Sequence, residues 1–173
     1  ASFFLSRIDV LLDPMLEQIM EQGGARAQIA GRLRGQVAIA CAKIAYQIYH
    51  ELFQNERFGR LEAKGARTQR VLWASTSTKN PLYSDIKYVE ALIGPETVNT
   101  LPLETLNAYR DHGDPAPRLE EDVELSQEVL SSLTNLNIDI DRATRQLEDE
   151  GVEKFNKPYD SLMQTLRNKR SAS

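Results

Sequence analysis

Cysteine and histidine are scarce in this sequence. Of its 173 residues, one is a cysteine, Cys41, and two are histidines. A single thiol cannot form a disulfide within the chain, and the sequence has no CxxC pair or His/Cys cluster of the kind that holds zinc. We therefore expect no metal, no disulfide and a reducing, cytoplasmic setting.

Long apolar runs and an excess of positive charge are also missing. No apolar run approaches the roughly 20 residues that a membrane-spanning helix needs, and no signal-peptide pattern opens the chain. The formal net charge of −4 argues against a nucleic-acid-binding surface, which requires a basic patch. With 41% hydrophobic and 27% charged residues, the composition is typical of a soluble globular domain. We expect neither a membrane nor a nucleic-acid partner.

Three apolar segments are predicted to be strands, near residues 2–10, 70–76 and 97–101. Helical patterns separate them. The dipeptide Asp13-Pro14 is typical of a helix start, and a longer helix is predicted over about 36–54. The apolar stripe of that longer helix is predicted to comprise Val37, Cys41, Ile44, Ile48 and Leu52, with alanines between them. Strands that alternate with helices favour a parallel sheet with helical crossovers.

The chain is too short for a complete eight-stranded α/β barrel, which needs about 250 residues. Residues 1–113 are predicted to form a partial α/β fold, and residues 114–173 a charged helical extension packed on it, after a linker at Asp114–Pro117. Strands this apolar need cover on both faces of their sheet. The residues alone leave two alternatives, a small three-layer domain or the closing portion of a barrel.

Polar residues at the ends of the predicted strands are the candidate site, because ligands of parallel α/β folds bind beyond the carboxyl ends of the strands. Arg7 lies near the end of the first predicted strand, and the second ends in the segment from Ser75 to Lys79. Two cations with hydroxyls and backbone amides suit a phosphate. The alternatives are a salt bridge from Arg7 to Asp9 or Asp13, turn capping by the hydroxyls, and a solvated loop cation at Lys79.

Three segments resemble transaldolases, in the longer bacterial and cyanobacterial form. Ser2 to Asp9 (SFFLSRID) resembles the sixth strand of that family, Leu72 to Pro81 (LWASTSTKNP) the seventh, and Thr97 to Pro102 (TVNTLP) the eighth. Ile138-Asp139 and the segment 147–155 resemble the carboxyl-terminal helices. The resemblance implies the carboxyl-terminal half of a (β/α)8 TIM barrel, with strands six to eight and a helical tail.

Such an enzyme moves a dihydroxyacetone unit between sugar phosphates of the pentose phosphate pathway. The resemblance implies a Schiff base on a lysine of the fourth strand and no cofactor, since the iminium is itself the electron sink. It further implies that Arg7, Ser75 and Lys79 hold the substrate phosphate, and that Ser2 and Phe4 line the sugar site.

None of the lysines in this chain has the fourth-strand setting of the family. The resemblance therefore implies that the Schiff-base lysine lies upstream of Ala1, that the amino-terminal half of the barrel is the partner of this segment, and that the segment alone is inactive. Two alternatives remain. One is a lysine-dependent aldolase that uses Lys79, and the other is a non-catalytic helical interaction module.

Overall fold

The computed structural model describes residues 2–171; residues 1, 172 and 173, at the ends of the predicted domains, lie outside the described part. The elements, in chain order, are β1 (Ser2–Phe4), α1 (Leu5–Glu21), α2 (Gly24–Leu33), α3 (Val37–Phe53), α4 (Glu56–Glu62), β2 (Val71–Ala74), α5 (Lys87–Glu90), β3 (Thr97–Asn99), α6 (Leu103–His112), α7 (Val123–Asn135) and α8 (Ile140–Ser171). The described chain is thus mainly helical around a small sheet, and the predicted α/β class is confirmed.

The described strands form one parallel sheet in the order β1-β2-β3. Phe3 is the register partner of Trp73, and their rings meet edge to face with centroids 5.9 Å apart. Trp73 is 1% exposed and donates its indole N–H to the carbonyl of Leu92, beyond α5. The predicted parallel pairing of the strands agrees with the structure, and Trp73 lies in the core.

The first strand is much shorter than predicted. The expected strand near 2–10 ends at Phe4, and α1 begins at Leu5. The buried side chains Leu5, Ile8, Leu12 and Leu16 recur at helical spacing, so the apolar run satisfies a helix packed on α2 and α3. The prediction that Asp13-Pro14 begins a helix is wrong, because both residues lie inside α1 and Pro14 is on its exposed face.

The bounds of α3 match the predicted helix, but its buried face differs from the predicted stripe. Ile48 is 48% exposed and Leu52 60% exposed. The face that packs against α1 and α7 instead carries small residues and two tyrosines, namely Val37, Ala38, Ala40, Ala42, Tyr46 and Tyr49. Small side chains let neighbouring helices approach closely, and this close packing decided which face is buried.

The chain divides into two compact units, Ala1–Ile138 and Asp139–Ser173. Helix α7 packs on α2 and α3 and belongs to the first unit, although the sequence placed the division after residue 113. Just after the predicted linker, Leu119 attaches the chain to the first unit. Its side chain is 0% exposed, and its backbone N–H donates to the carbonyl of Ile93. This attachment explains the later boundary.

The second unit is dominated by α8. Five large apolar side chains recur along this helix at alternating intervals of three and four residues, and each is more than half exposed: Val152, Phe155, Tyr159, Leu162 and Leu166. Within residues 2–171, no helix combines the length and apolarity needed to cross a membrane.

Candidate functional site

The ends of β1 and β2 meet in one backbone hydrogen bond. The N–H of Ser6, in the first turn of α1, donates to the carbonyl of Ser75 over 3.1 Å. Ser75 has a φ of 54°, in the left-handed region that a non-glycine residue rarely occupies. Backbone strain of this kind concentrates at functional sites. Among the described residues, no hydrogen bond occupies the half-buried hydroxyl of Ser75.

Arg7 lies next to this junction, in the first turn of α1. Its guanidinium stacks 4.5 Å from the centroid of the Phe4 ring. Within residues 2–171, no acidic side chain comes within salt-bridge distance of Arg7. The alternative salt bridge to Asp9 or Asp13 is therefore not formed, and the guanidinium keeps its hydrogen-bond donors available to an anion.

The other predicted phosphate ligand, Lys79, lies further along the loop. Its side chain is exposed, and its Nζ donates to the hydroxyl of Ser77 over 2.7 Å. Thr76 is different, because it is 0% exposed and donates its hydroxyl to the carbonyl of Thr100, which ties the ends of β2 and β3 together. The structure thus brings together the backbones next to Arg7 and Ser75, and it places Lys79 on a neighbouring cavity.

Ser2 and Phe4 share one face of the sheet, opposite the face that carries Phe3 and Trp73. Their register partners Leu72 and Ala74 lie on that same face. Ser2 is exposed, and Phe4 and Leu72 are half-buried, whereas Trp73 on the other face is buried. The two predicted sugar-site residues therefore stand on the more open face of the sheet.

A cavity of about 400 Å³ lies between α1 and the segment that follows β2. Lys79 borders this cavity, but Arg7 and Ser75 do not; its walls are Asp9, Val10, Asp13, Pro14, Glu17, Lys79, Asn80, Pro81, Tyr83 and Tyr88. The two aspartates are 2% and 5% exposed in the whole structure. A buried carboxylate must be paired or hydrogen-bonded, and both are.

Asp9 accepts three hydrogen bonds. They come from the backbone N–H of Ala38 over 2.9 Å, the ammonium of Lys87 over 2.9 Å and the hydroxyl of Tyr88 over 2.7 Å. Burial raises the pKa of Tyr88, and the charge of Asp9 raises it further, so the hydroxyl remains a donor. The carboxylate of Asp9 thereby joins α1 to the start of α3 and to α5.

Asp13, one turn later, repeats the pattern. It accepts from the backbone N–H of Gly35 over 2.8 Å and from the hydroxyl of Tyr83 over 2.6 Å. Burial raises the pKa of Asp13, and these two hydrogen bonds oppose the rise. The ammonium of Lys87 lies 3.9 Å from the centroid of the Tyr83 ring, which links the two carboxylate clusters.

Sequence reasoning missed this network. One signal was present, because Asp9 and Asp13 are four residues apart and so lie on the same side of a helix, beside buried Ile8 and Leu12. Reading residues 2–10 as a strand concealed that spacing, since strand geometry places residues at odd and even positions on opposite faces.

A second cavity, of about 440 Å³, lies between α2, α3 and α7 and is bordered by Lys43. The Nζ of Lys43 donates to the carbonyl of Glu121 over 2.6 Å, and the residue is 7% exposed. Burial lowers the pKa of this ammonium. This hydrogen bond ties α3 to the segment before α7, so Lys43 has a structural role and is not part of the predicted site.

Within residues 2–171, no group of three His, Cys, Asp or Glu side chains is arranged to hold a metal.

A family model described as transaldolase/fructose-6-phosphate aldolase matches residues 1–166. The chain belongs to the transaldolase/fructose-6-phosphate aldolase family. It is 48% identical over 174 aligned residues to a transaldolase of Trichodesmium erythraeum, covering 98% of this chain and 46% of the relative. The transaldolase 2 of Nostoc sp. PCC 7120 is 46% identical, with the same coverage of 98% and 46%. A transaldolase of Thiobacillus denitrificans is 47% identical, with coverage of 94% and 44%.

These comparisons confirm the resemblance to transaldolases, including those of cyanobacteria. The chain spans less than half the length of these relatives. The roles of Arg7, Ser75, Lys79, Ser2 and Phe4 stay predictions.

Proposed function

We propose that this chain is the carboxyl-terminal half of a transaldolase, from the sixth barrel strand onward, and that it supplies the phosphate-binding part of the active site. The observation that carries the proposal is that two residues with available side-chain groups lie at one backbone contact between α1 and the end of β2. Arg7 has no acidic partner among the described residues, and the strained Ser75 is bonded through its carbonyl to the adjacent Ser6. A guanidinium and a hydroxyl together suit a phosphate.

The state of the sheet supports the barrel assignment. The strands β1 and β3 are both edges, and each leaves one side of its backbone unpaired within the described sheet. Parallel sheets are normally covered on both faces, and here the face with Ser2 and Phe4 is the more open one. Further parallel strands from an amino-terminal half would extend both edges and enclose that face as the interior of a barrel.

In the proposed mechanism, a lysine upstream of residue 1 forms the Schiff base with the donor ketose, and the iminium stabilises the carbanion left after the carbon–carbon bond breaks. This chain contributes no nucleophile. Arg7 and Ser75 bind the phosphate of the donor and then of the acceptor aldehyde, Lys79 adds positive charge nearby, and Ser2 and Phe4 line the sugar. No cofactor takes part, and the isolated segment is inactive.

The helical extension belongs to the same proposal. A solvated helix seldom carries five apolar side chains in one line, so we assign the stripe of α8 from Val152 to Leu166 to a surface that is covered in the longer protein.

Substitution of Arg7 tests the phosphate site. In the full-length protein, Arg7→Ala should weaken competition by inorganic phosphate about tenfold to a hundredfold, the equivalent of about 1.5–3 kcal/mol for hydrogen bonds to a charged group. Arg57→Ala is the matched control, because Arg57 is an exposed arginine of α4. Unchanged phosphate inhibition in Arg7→Ala, with the protein folded, would refute the half-site.

A trapping experiment separates this mechanism from an aldolase that uses Lys79. The full-length protein is incubated with fructose 6-phosphate, reduced with borohydride and digested for peptide mass spectrometry. We expect the reduced adduct on a lysine upstream of residue 1. An adduct on Lys79 would assign the nucleophile to this chain, and the absence of any adduct together with normal folding would favour the interaction module.

A further inference from the structure

The buried carboxylate network joins the two segments that carry the proposed phosphate ligands. Asp9 lies two residues after Arg7 on α1, and its partners Lys87 and Tyr88 lie on α5, in the segment that follows Ser75 and Lys79. We propose that Asp9 and Tyr88 are positioning residues for the phosphate site: their hydrogen bond fixes α1 against the segment after β2 and so sets the place of Arg7 relative to Ser75. This inference rests on the proposed function.

The rigidity of the helix transmits this constraint. Arg7 and Asp9 lie in the same stretch of α1, where backbone hydrogen bonds prevent independent movement. Among the described residues, one hydrogen bond joins α1 directly to the end of β2, from the N–H of Ser6 to the carbonyl of Ser75. The packing of α1 on α2 and α3 holds the helix in place, and the bonds of Asp9 to α3 and α5 fix its position more closely next to Arg7.

A buried ion pair contributes little net stability, because the cost of removing both charges from water offsets their attraction. The side chains of Asp9 and Lys87 are 3% and 13% exposed, and an apolar pair of similar volume is often as stable as a buried ion pair. What charged and hydroxyl groups add is direction, because each hydrogen bond has a preferred length and angle. Arginine recognition of phosphate depends on orientation in the same way, since its donors form a rigid fork.

The test removes one hydroxyl from the full-length protein and keeps the ring. In Tyr88→Phe we expect the inhibition constant of inorganic phosphate and the KM for fructose 6-phosphate to rise together about five- to tenfold, because displaced binding groups lose much of their effect. The kcat should change less than about twofold, since an interaction common to the ground and transition states affects mainly KM.

Tyr46→Phe is the matched control. Tyr46 is 0% exposed and also loses one hydroxyl hydrogen bond, to the carbonyl of Pro95, but among the described residues no hydrogen bond joins it to Asp9, Lys87 or Tyr88. We expect this variant to lose similar stability and to keep the phosphate constant of the parent protein. Tyr83→Phe, which removes the bond to Asp13, is a second variant should Tyr88→Phe fail to fold.

The outcomes distinguish this inference from the proposed function. If Arg7→Ala weakens phosphate binding but folded Tyr88→Phe and Tyr83→Phe do not, the positioning role is refuted and the phosphate site stands. If Tyr46→Phe raises the phosphate constant as much as Tyr88→Phe, the effect is general loosening and the inference also fails. If Arg7→Ala has no effect on phosphate, the proposed function itself is wrong.

Discussion

The substitution Gly35→Ala should break the hydrogen bond between Tyr83 and Asp13 without changing either of those residues. Gly35 has a φ of +70°, and a Cβ atom built there would lie 2.7 Å from both Cζ and Oη of Tyr83. Contacts that close cannot persist, so the end of the Tyr83 side chain must move. Its hydroxyl would then lose the 2.6 Å hydrogen bond to Asp13, while the bond from the Gly35 N–H is retained.

The expected cost has two parts. A residue with a side chain in the left-handed region costs about 1–2 kcal/mol, and the loss of a hydrogen bond to a charged carboxylate costs about 1.5–3 kcal/mol. Gly65→Ala isolates the first part. Gly65 has a φ of +93° at the end of α4, and nothing lies within 4 Å of its built Cβ. Gly35→Ala should therefore be the more destabilising variant by about 1.5–3 kcal/mol.

The assay is equilibrium urea unfolding of the full-length protein and both variants, with similar denaturant dependence as the check that the same transition is compared. In a Tyr83→Phe background, Gly35→Ala should lose less unfolding free energy than it does in the parent protein, because the hydrogen bond from Tyr83 to Asp13 has already been removed. Equal destabilisation by Gly35→Ala and Gly65→Ala would refute the reasoning, as would an excess cost that persists in full without the Tyr83 hydroxyl.

Three further predictions concern single side chains. Burial raises the pKa of Cys41 to about 12, so iodoacetamide should label it slowly in the folded protein and fully after denaturation; equal rates would contradict this. The hydrogen bond with Asp85 raises the pKa of His112 above 6.5. The stability that this bond gives to the folded protein should be complete below pH 6.5 and be lost as pH rises through the raised pKa. Urea unfolding of the parent protein and of His112→Gln at pH values on both sides of the raised pKa would measure this loss. Thr76→Val should cost about 0.5–1.5 kcal/mol of unfolding free energy, because the hydrogen bond from its buried hydroxyl to the carbonyl of Thr100 is lost, whereas Thr78→Val, at a half-buried position with no hydrogen bond among the described residues, should change it by less than about 0.5 kcal/mol.

The α/β class, the positions of the second and third strands and the bounds of α3 were accessible from the sequence, because each depends on local periodicity and on turn residues. The buried face of α3 was not. Ile48 and Leu52, two of its large aliphatic residues, are exposed, while Ala38 and Ala42 are buried. Periodicity indicates that a helix has an apolar face, but the size of the gap to α1 and α7 selects which side chains fill it.

The candidate site divides in the same way. Arg7 and Ser75 were predicted from their place after apolar strands, and the structure has their neighbouring backbones in contact. The network of Asp9 with Lys87 and Tyr88 was not predicted, since its members are 78 and 79 residues apart. Hydrogen-bond partners at such separations depend on how elements pack, and no local pattern encodes that packing.

The sequence by itself determined the family of this chain and the residue types at its strand ends. Only the tertiary structure decided that the apolar run after Phe4 is a helix, because the same residues suit either period until α2 and α3 cover one side of it. It also decided that Asp9 is buried and triply hydrogen-bonded while Arg7 has no acidic partner in the described part of the chain. A carboxylate deep in the packing must be satisfied by whatever donors the fold brings to it, whereas a guanidinium at the sheet edge can keep its donors for a ligand.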